Sequence, residues 1–328
     1  MKPERYAHVL SFALSHPWAV LPEMMPVIAG ILARHIAGAD SSGEIAAALV
    51  NRKNLPQPRA GSVAIIPVYG VIAPRMNLFS EYSGGTTFQR LSQQLRAVMA
   101  TEDVKTIVLD IDSPGGSVAG AREFAAELMK ARVKKPIVAV GQYTMASAAY
   151  HLAAACTEIV AAPSACTGSI GVYWMHDDLS AALKELGINR TFVSAGVGKL
   201  DGNETEPLSE AAQARRQATV DELYGVFVDG VVQGRGKGMT DARVRTEWKA
   251  HAYLSAEALT LGMIDTIATL DETITRVLSA SSDPNDQRAA LAFSSTVDTD
   301  QELPPVVATS QDRRPELALE QQLFELQH

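Results

Sequence analysis

The chain has 328 residues, 47% hydrophobic and 20% charged, enough apolar content for one sizeable core with appendages. Its net charge of −8, from 29 basic and 37 acidic side chains, argues against a nucleic-acid partner, which needs clustered Lys and Arg. The two cysteines, Cys156 and Cys166, lie in small apolar stretches away from ligand-spaced His or Cys. The expectation is therefore free buried thiols, no disulfide framework, no metal and no cofactor.

Residues 1–50 read as short amphipathic helices punctuated by Pro17, Pro22 and Pro26. Breaks at Ser15-His16-Pro17 and Pro22-Glu23 argue against a secretory signal, and the apolar run Val27–Ala33 is too short to span a bilayer. No membrane anchor and a cytoplasmic location are the expectation. Asn51–Ser62 is polar and carries prolines, as a linker does. The period then changes: VAIIPVYGVIA from Val63 reads as a strand, with Pro67 marking an edge or irregular position.

FQRLSQQLRAVM predicts a helix with Phe88, Leu91, Leu95 and Val98 on one face. Val104–Ile111 reads as a buried strand ending at Asp112-Ser113-Pro114-Gly115-Gly116, followed by the helix AREFAAELMKAR and a strand from Pro136 to Val140. Ser147–Ala155 reads as a helix of small residues, Thr157–Ala161 and Ser169–Tyr173 as strands, Leu179–Leu186 as a helix and Arg190–Ser194 as a strand. After Leu208 a long helical stretch follows, with Ser209 a fair N-cap; another helix from Leu254 is ended by Gly262. Beyond Ser279 the composition is that of a disordered tail, with a short amphipathic helix at its very end. Alternating strands and helices imply a largely parallel sheet with right-handed crossovers, whose chemistry gathers at strand carboxyl ends.

Two motifs follow predicted strands. In Asp110–Val118 (DIDSPGGSV) the glycine pair lets backbone N–H groups face a ligand, as an oxyanion hole requires; an ordinary tight turn has the same composition. Ser147, between Ala146 and Ala148, opens a helix crowded with alanine, which suits a nucleophile approached by a chain, with the Ala148 N–H as a second donor. A plain helix-capping serine fits that context equally well.

Three bases stand open for Ser147. His151 lies one turn downstream, and His176 precedes Asp177 and Asp178, which keeps a Ser–His–Asp arrangement in view. Lys199 sits in a glycine-rich loop after Thr191–Gly198, a stretch of small or apolar residues. Desolvation there would suit a lysine base, although Asp201, Glu204 and Glu206 oppose it, and an isolated loop lysine is ordinarily solvated.

DSPGGSV, MASAAYHLAAA and PSACTGSIGV, followed by a Gly-Lys loop and by DELYGVFVDGVVQGRG and YLSAEALTLGMIDTIATLDETI, resemble the S49 peptidases over roughly residues 60–280. This is the signal-peptide-peptidase-A family. The resemblance implies an α/β, ClpP/crotonase-like spiral of β-β-α units over residues 61–280. A helical N-terminal extension, 1–60, would precede it and a disordered C-terminal tail, 281–328, would follow. It also implies a serine endopeptidase with Ser147 as nucleophile, Lys199 as base and Ser169 orienting the lysine. Gly116 and Ala148, and on the same pattern Gly115, fall on the oxyanion-hole backbone. An extended substrate is expected to add as a strand beside Gly115–Ser117.

Where the family's pattern has a glycine pair or Ala-Ser-Gly, this chain has Ala146-Ser147-Ala148, a mild departure because the donor is backbone. The single repeat resembles short bacterial and phage forms, in which neighbouring protomers of a ring complete the dyad. The N-terminal block resembles phage capsid-assembly proteases, implying phage or prophage head proteins (scaffold, portal or capsid) as substrates and association with a procapsid. Three alternatives remain at this stage: signal-peptide-peptidase-like cleavage, an acyl-CoA-binding crotonase, and a catalytically inactive scaffolding component.

Overall fold

The computed structural model describes residues 16–25, 59–75, 85–236, 238–281 and 283–297, with side chains of the last helix described to residue 290. In chain order the strands are β1 (Trp18–Val20), β2 (Arg59–Ala60), β3 (Val63–Tyr69), β4 (Ile72–Ala73), β5 (Thr86–Thr87), β6 (Thr106–Ser113), β7 (Gly115–Ser117), β8 (Ile137–Ala146), β9 (Glu158–Ala161), β10 (Cys166–Gly168), β11 (Ala252–Leu254) and β12 (Thr266–Ile267). The helices are α1 (Phe88–Ala100), α2 (Ala121–Ala131), α3 (Ala148–Ala154), α4 (Ser180–Glu185), α5 (Glu210–Arg235), α6 (Ser255–Thr260), α7 (Leu270–Ser279) and α8 (Pro284–Val297), with a π-helical turn at Arg243–Trp248. The chain divides into two compact units, 1–294 and 295–328; of the second, only its first three residues are described, at the end of α8.

The larger sheet runs β11-β10-β8-β6-β3-β2. Its centre is parallel: β3, β6 and β8 pair in register from Val63↔Thr106 and Ile107↔Ile137. The long β8 then divides its free edge between two parallel neighbours, β9 beside Val138–Gly141 and β10 beside Thr144–Ala146. Core strands buried on both faces require near-continuous apolar runs, and β6 and β8 supply them. One face packs against α1, α2, α3 and α5, the other against α7. Pro67 is tolerated because β2 pairs only with Val63 and Ala64, which leaves that edge of β3 open farther along.

A smaller sheet, β1-β7-β4-β5, is built around the glycine pair. Gly116 sits opposite Ile72 of β4, and a Cβ there would overlap the Ile72 carbonyl oxygen. Only glycine lets the two strands approach that closely.

α1 matches its expected face, with Phe88, Leu91, Leu95 and Val98 buried and Thr87 as side-chain N-cap. α3 is buried on every side, which explains its alanines. Against it α5 brings Gly230 and Gly234, where a Cβ would overlap His151 Nε2 and the Ala154 carbonyl oxygen. Arg132 closes the end of α3 by donating to the carbonyls of Ala155, Cys156 and Gly234 at 3.2, 2.7 and 2.9 Å.

Four expectations need correction. Trp18–Val20, expected within short helices, is a strand, because its extended backbone finds partners on both sides. The strand expected at Ser169–Tyr173 lies three residues earlier, at Cys166–Gly168, where β8 and β11 supply the ladder. Arg190–Ser194 forms no strand; it is exposed and without a sheet neighbour. The tail expected from residue 281 holds a helix, α8, tied to the core where Asp286 accepts hydrogen bonds from the Ser62 N–H and Oγ, both at 2.7 Å. The remaining helical N-terminal expectation, the terminal amphipathic helix and the disorder expected beyond Val297 lie outside the described residues.

Candidate active site

β8 stops at Ala146 and α3 starts at Ala148, so Ser147 is the single residue turning the chain from strand to helix. It does so at φ 56°, ψ −119°, a conformation costing a non-glycine residue about 1–3 kcal/mol that the surroundings must sustain. The Ser147 N–H donates to Gly168 O at 2.7 Å and its carbonyl accepts from the His151 N–H at 3.0 Å. Backbone on both sides thus holds the strained residue. Its Oγ is buried and has no hydrogen-bond partner among the described residues. Ser147 opens the helix without capping it by its side chain, unlike Thr87 or Ser209.

Two backbone stretches adjoin Ser147. Ala148 is the first residue of α3, and its N–H is among those a helix leaves unpaired within itself. The strand β7 lies beside Ser147: a Cβ on Gly115 would come within 2.9 Å of Ser147 Cβ. Gly115 is held at φ 104°, and its N–H is engaged by Ser113 Oγ at 3.2 Å. The next residue, Gly116, pairs with Ala19 of β1 and Ile72 of β4. Gly115 leaves out a side chain where a Cβ would overlap the Ala19 carbonyl oxygen.

Ser169 follows β10 directly, with φ 54° and its N–H on the His251 carbonyl at 2.7 Å. It is nearly buried at 8% exposure, one residue beyond the Gly168 carbonyl that holds Ser147.

The histidines separate cleanly. His151 is buried and stacked on Phe227 with ring centroids 4.7 Å apart. Burial, with a smaller contribution from Arg122, pushes its pKa down to about 4. It is a packing residue. His176 Nε2 is buried with no hydrogen-bond partner, and the adjacent Asp178 carboxylate accepts from the Ser180 N–H at 2.9 Å. No hydrogen-bonded Ser147–His176 pair exists.

Lys199 is not brought to Ser147 by a hydrogen bond within one chain. It lies in the loop Gly196–Gly202, exposed, on the rim of a cavity of about 450 Å³ with Trp174, His176 and Arg216. The expectation that Thr191–Gly198 would desolvate the lysine fails within a single chain, because the stretch itself is exposed: Val193 and Val197 are at 99% and 110% of full exposure.

The sequence reading gave no role to Asp110, a buried carboxylate of β6 on the same face as Val108, which accepts from Tyr69 Oη and, at 2.6 Å, from Gln142 Nε2. Burial raises its pKa against those hydrogen bonds. Its place in an otherwise apolar strand, TIVLDIDS, was the available signal.

Residues 129–282 match the model of peptidase family S49. This stretch is similar to S49 peptidase sequences. The S49 segment contains Ser147, Ser169 and Lys199, while the glycine strand precedes it. Among curated relatives, head-tail preconnector protein GP5 of Enterobacteria phage P21 is 30% identical over 66% of this chain and 43% of its own length. Capsid assembly protease C of Escherichia phage lambda is 30% identical over 65% and 48%. Protease 4 of Salmonella typhi is 28% identical over 67% and 35%. The chain thus spans about half the length, or less, of these relatives.

Among solved structures, the 1510-N membrane-bound stomatin-specific protease shares 12% identity at a TM-score of 0.43, over 68% of this chain and 87% of the other. ClpP1 of Listeria monocytogenes shares 14% at 0.39, over 62% and 91%. The α/β fold has a mostly parallel sheet and a small second sheet carrying the glycine strand. Among the described residues no helix is long and apolar enough to cross a membrane.

Proposed function

We propose that this protein is a serine endopeptidase in which Ser147 attacks a peptide carbonyl and Lys199 acts as the general base. The observation that carries this reading is the state of Ser147. It is held in a strained turn, its hydroxyl has no hydrogen-bond partner, and backbone donors flank it. Most structural hydroxyls so buried are satisfied.

In the first half-reaction the hydroxyl oxygen bonds to the substrate carbonyl carbon while its proton passes to the neutral lysine amine. The Gly116 and Ala148 N–H groups receive the oxyanion. Collapse breaks the C–N bond, the proton goes to the leaving amine, and water then hydrolyses the acyl-serine. Ser169 is proposed to orient the lysine.

Because Lys199 lies on an exposed arm, residues 179–208, we assign the base to a neighbouring copy of the chain. The arm carries Leu186, Ile188, Phe192, Val193 and Val197 with large apolar area in water, as expected of a surface that a second copy covers. Head-to-tail contacts whose rotation closes build a ring, and that is the assembly proposed.

The two phage relatives support a substrate class of phage head proteins, processed inside the host cell or an assembling procapsid. A direct test labels the protein with a fluorophosphonate and locates the adduct by mass spectrometry. Modification of Ser147 in wild type, lost in Ser147→Ala, supports the reading; an unlabelled Ser147 in an assembled, folded sample overturns it.

A further inference from the structure

The cleft beside Ser147 already contains a peptide, and that peptide belongs to this chain. β1 lies antiparallel to the glycine strand, with Trp18 opposite Ser117, Ala19 opposite Gly116 and Val20 opposite Gly115. On its other side Trp18 exchanges both backbone hydrogen bonds with Tyr173, at 2.8 and 3.0 Å, and beyond β1 the Leu21 N–H donates to Pro114 O at 2.9 Å. The segment is thus an extended strand bonded to both walls, the position in which a substrate would bind to this site.

The register fixes which bond lies at the nucleophile. Bonded and non-bonded pairs alternate along an antiparallel ladder. Since Leu21 and Pro114 are bonded, the next bonded pair is Ala19 and Gly116, which turns the Gly116 N–H toward the Ala19 carbonyl oxygen. That N–H is the oxyanion donor assigned above. Independently, a Cβ on Gly115 would overlap the Ala19 carbonyl oxygen and approach Ser147 Cβ to 2.9 Å, so carbonyl and serine face the same point. The side chains of Trp18, Ala19 and Val20 are all buried, at 2% exposure each. The carbonyl at the serine belongs to alanine, the smallest chiral residue, and is preceded by a buried tryptophan.

We propose that the enzyme's first substrate is its own N-terminal segment, cut between Ala19 and Val20, and that the cleft selects extended peptides with a small residue on the acyl side of the scissile bond. This rests on the proposed peptidase reading. Ser147 Oγ bonds to the Ala19 carbonyl carbon, the Ala19–Val20 C–N bond breaks, and the serine proton leaves with the Val20 amine. One water then releases residues 1–19 as a carboxylate and restores the serine. The cut frees both walls of the cleft for other chains.

The test uses the full chain, purified as wild type and as Ser147→Ala, with intact mass and N-terminal sequencing after incubation. A new N-terminus at Val20 in wild type, absent in Ser147→Ala, is expected. A synthetic peptide spanning His16–Met25 should be cut at the same bond, and at least tenfold more slowly when Ala19→Phe is built into it. Wild type that labels with fluorophosphonate at Ser147 and cuts casein, yet keeps its N-terminus and leaves the peptide intact, overturns the self-cleavage proposal and spares the peptidase reading. Cleavage at any other bond in the segment overturns the register. Absence of both labelling and casein cleavage defeats the peptidase reading itself.

Discussion

Ser147 shows how a residue's conformation carries information that its type does not. In sequence, an N-cap serine and a nucleophile are written identically before a run of alanines. In the structure they differ, because capping serines hold an extended backbone and accept a hydrogen bond from the helix, as Ser209 does from the Ala212 N–H at 3.2 Å, whereas Ser147 does neither. Replacing it with alanine removes one oxygen and no contact, so Ser147→Ala should reduce peptide hydrolysis by about 10⁴-fold or more while leaving the thermal midpoint unchanged. Activity assays paired with calorimetry check this.

Gly116→Ala should do the opposite in part. The new Cβ would meet the backbone of Ile72, so β7 must shift, at about 1–3 kcal/mol in stability, with loss of turnover from a displaced oxyanion donor. Urea unfolding and kcat measured together separate the two effects.

His151 supplies a pH dependence. Its pKa of about 4 in the folded chain lies below the ordinary value of 6.5, so between those values the unfolded chain takes up a proton that the native one does not. Stability from this residue is complete above about pH 6.5, declines as pH falls, and is lost below about pH 4, a difference of roughly 3 kcal/mol. Urea midpoints at pH 7 and pH 4.5 should draw closer together in His151→Leu than in wild type.

At the scale of elements, legibility followed periodicity. α1 declared itself through Phe88, Leu91, Leu95 and Val98, and β6 through the apolar residues Ile107–Leu109 and Ile111, because each signals with its own local pattern. β7 is Gly-Gly-Ser and has no pattern to show; it is a strand only because β4 and β1 lie beside it. β1 pairs with residues about a hundred positions away, between prolines that locally suggest short helices. α8 was lost to composition: Asn285, Asp286, Gln287 and Arg288 read as tail, and the anchor is one carboxylate on Ser62. Asp286→Ala leaves the Ser62 N–H without that partner and should cost about 1–3 kcal/mol. Hydrogen exchange of α7 and α8 should then rise before that of β6, since α8 depends on that anchor and β6 on the central sheet.

The candidate site was legible as chemistry and illegible as geometry. Ser147, Ser169, Gly116 and Lys199 are named by motif, and the fold puts Ser147 and Ser169 at the ends of the paired strands β8 and β10, with β7 beside Ser147. Lys199 stays apart, since a loop of Gly and small residues fixes no direction for a side chain.

For the molecule as a whole, the exposed arm decides whether one chain is a complete enzyme. Residues 179–208 offer apolar side chains to water and hold Lys199 away from any hydrogen bond to Ser147, so the account assigns each active site to two copies. The most direct measurement mixes two inactive proteins, Ser147→Ala and Lys199→Ala, under conditions that allow subunits to exchange. Head-to-tail assembly at random should pair an intact serine with a neighbour's intact lysine at about a quarter of sites, restoring about that fraction of wild-type hydrolysis. Full activity in Lys199→Ala alone, or a mixed ring as silent as its parents, would contradict it.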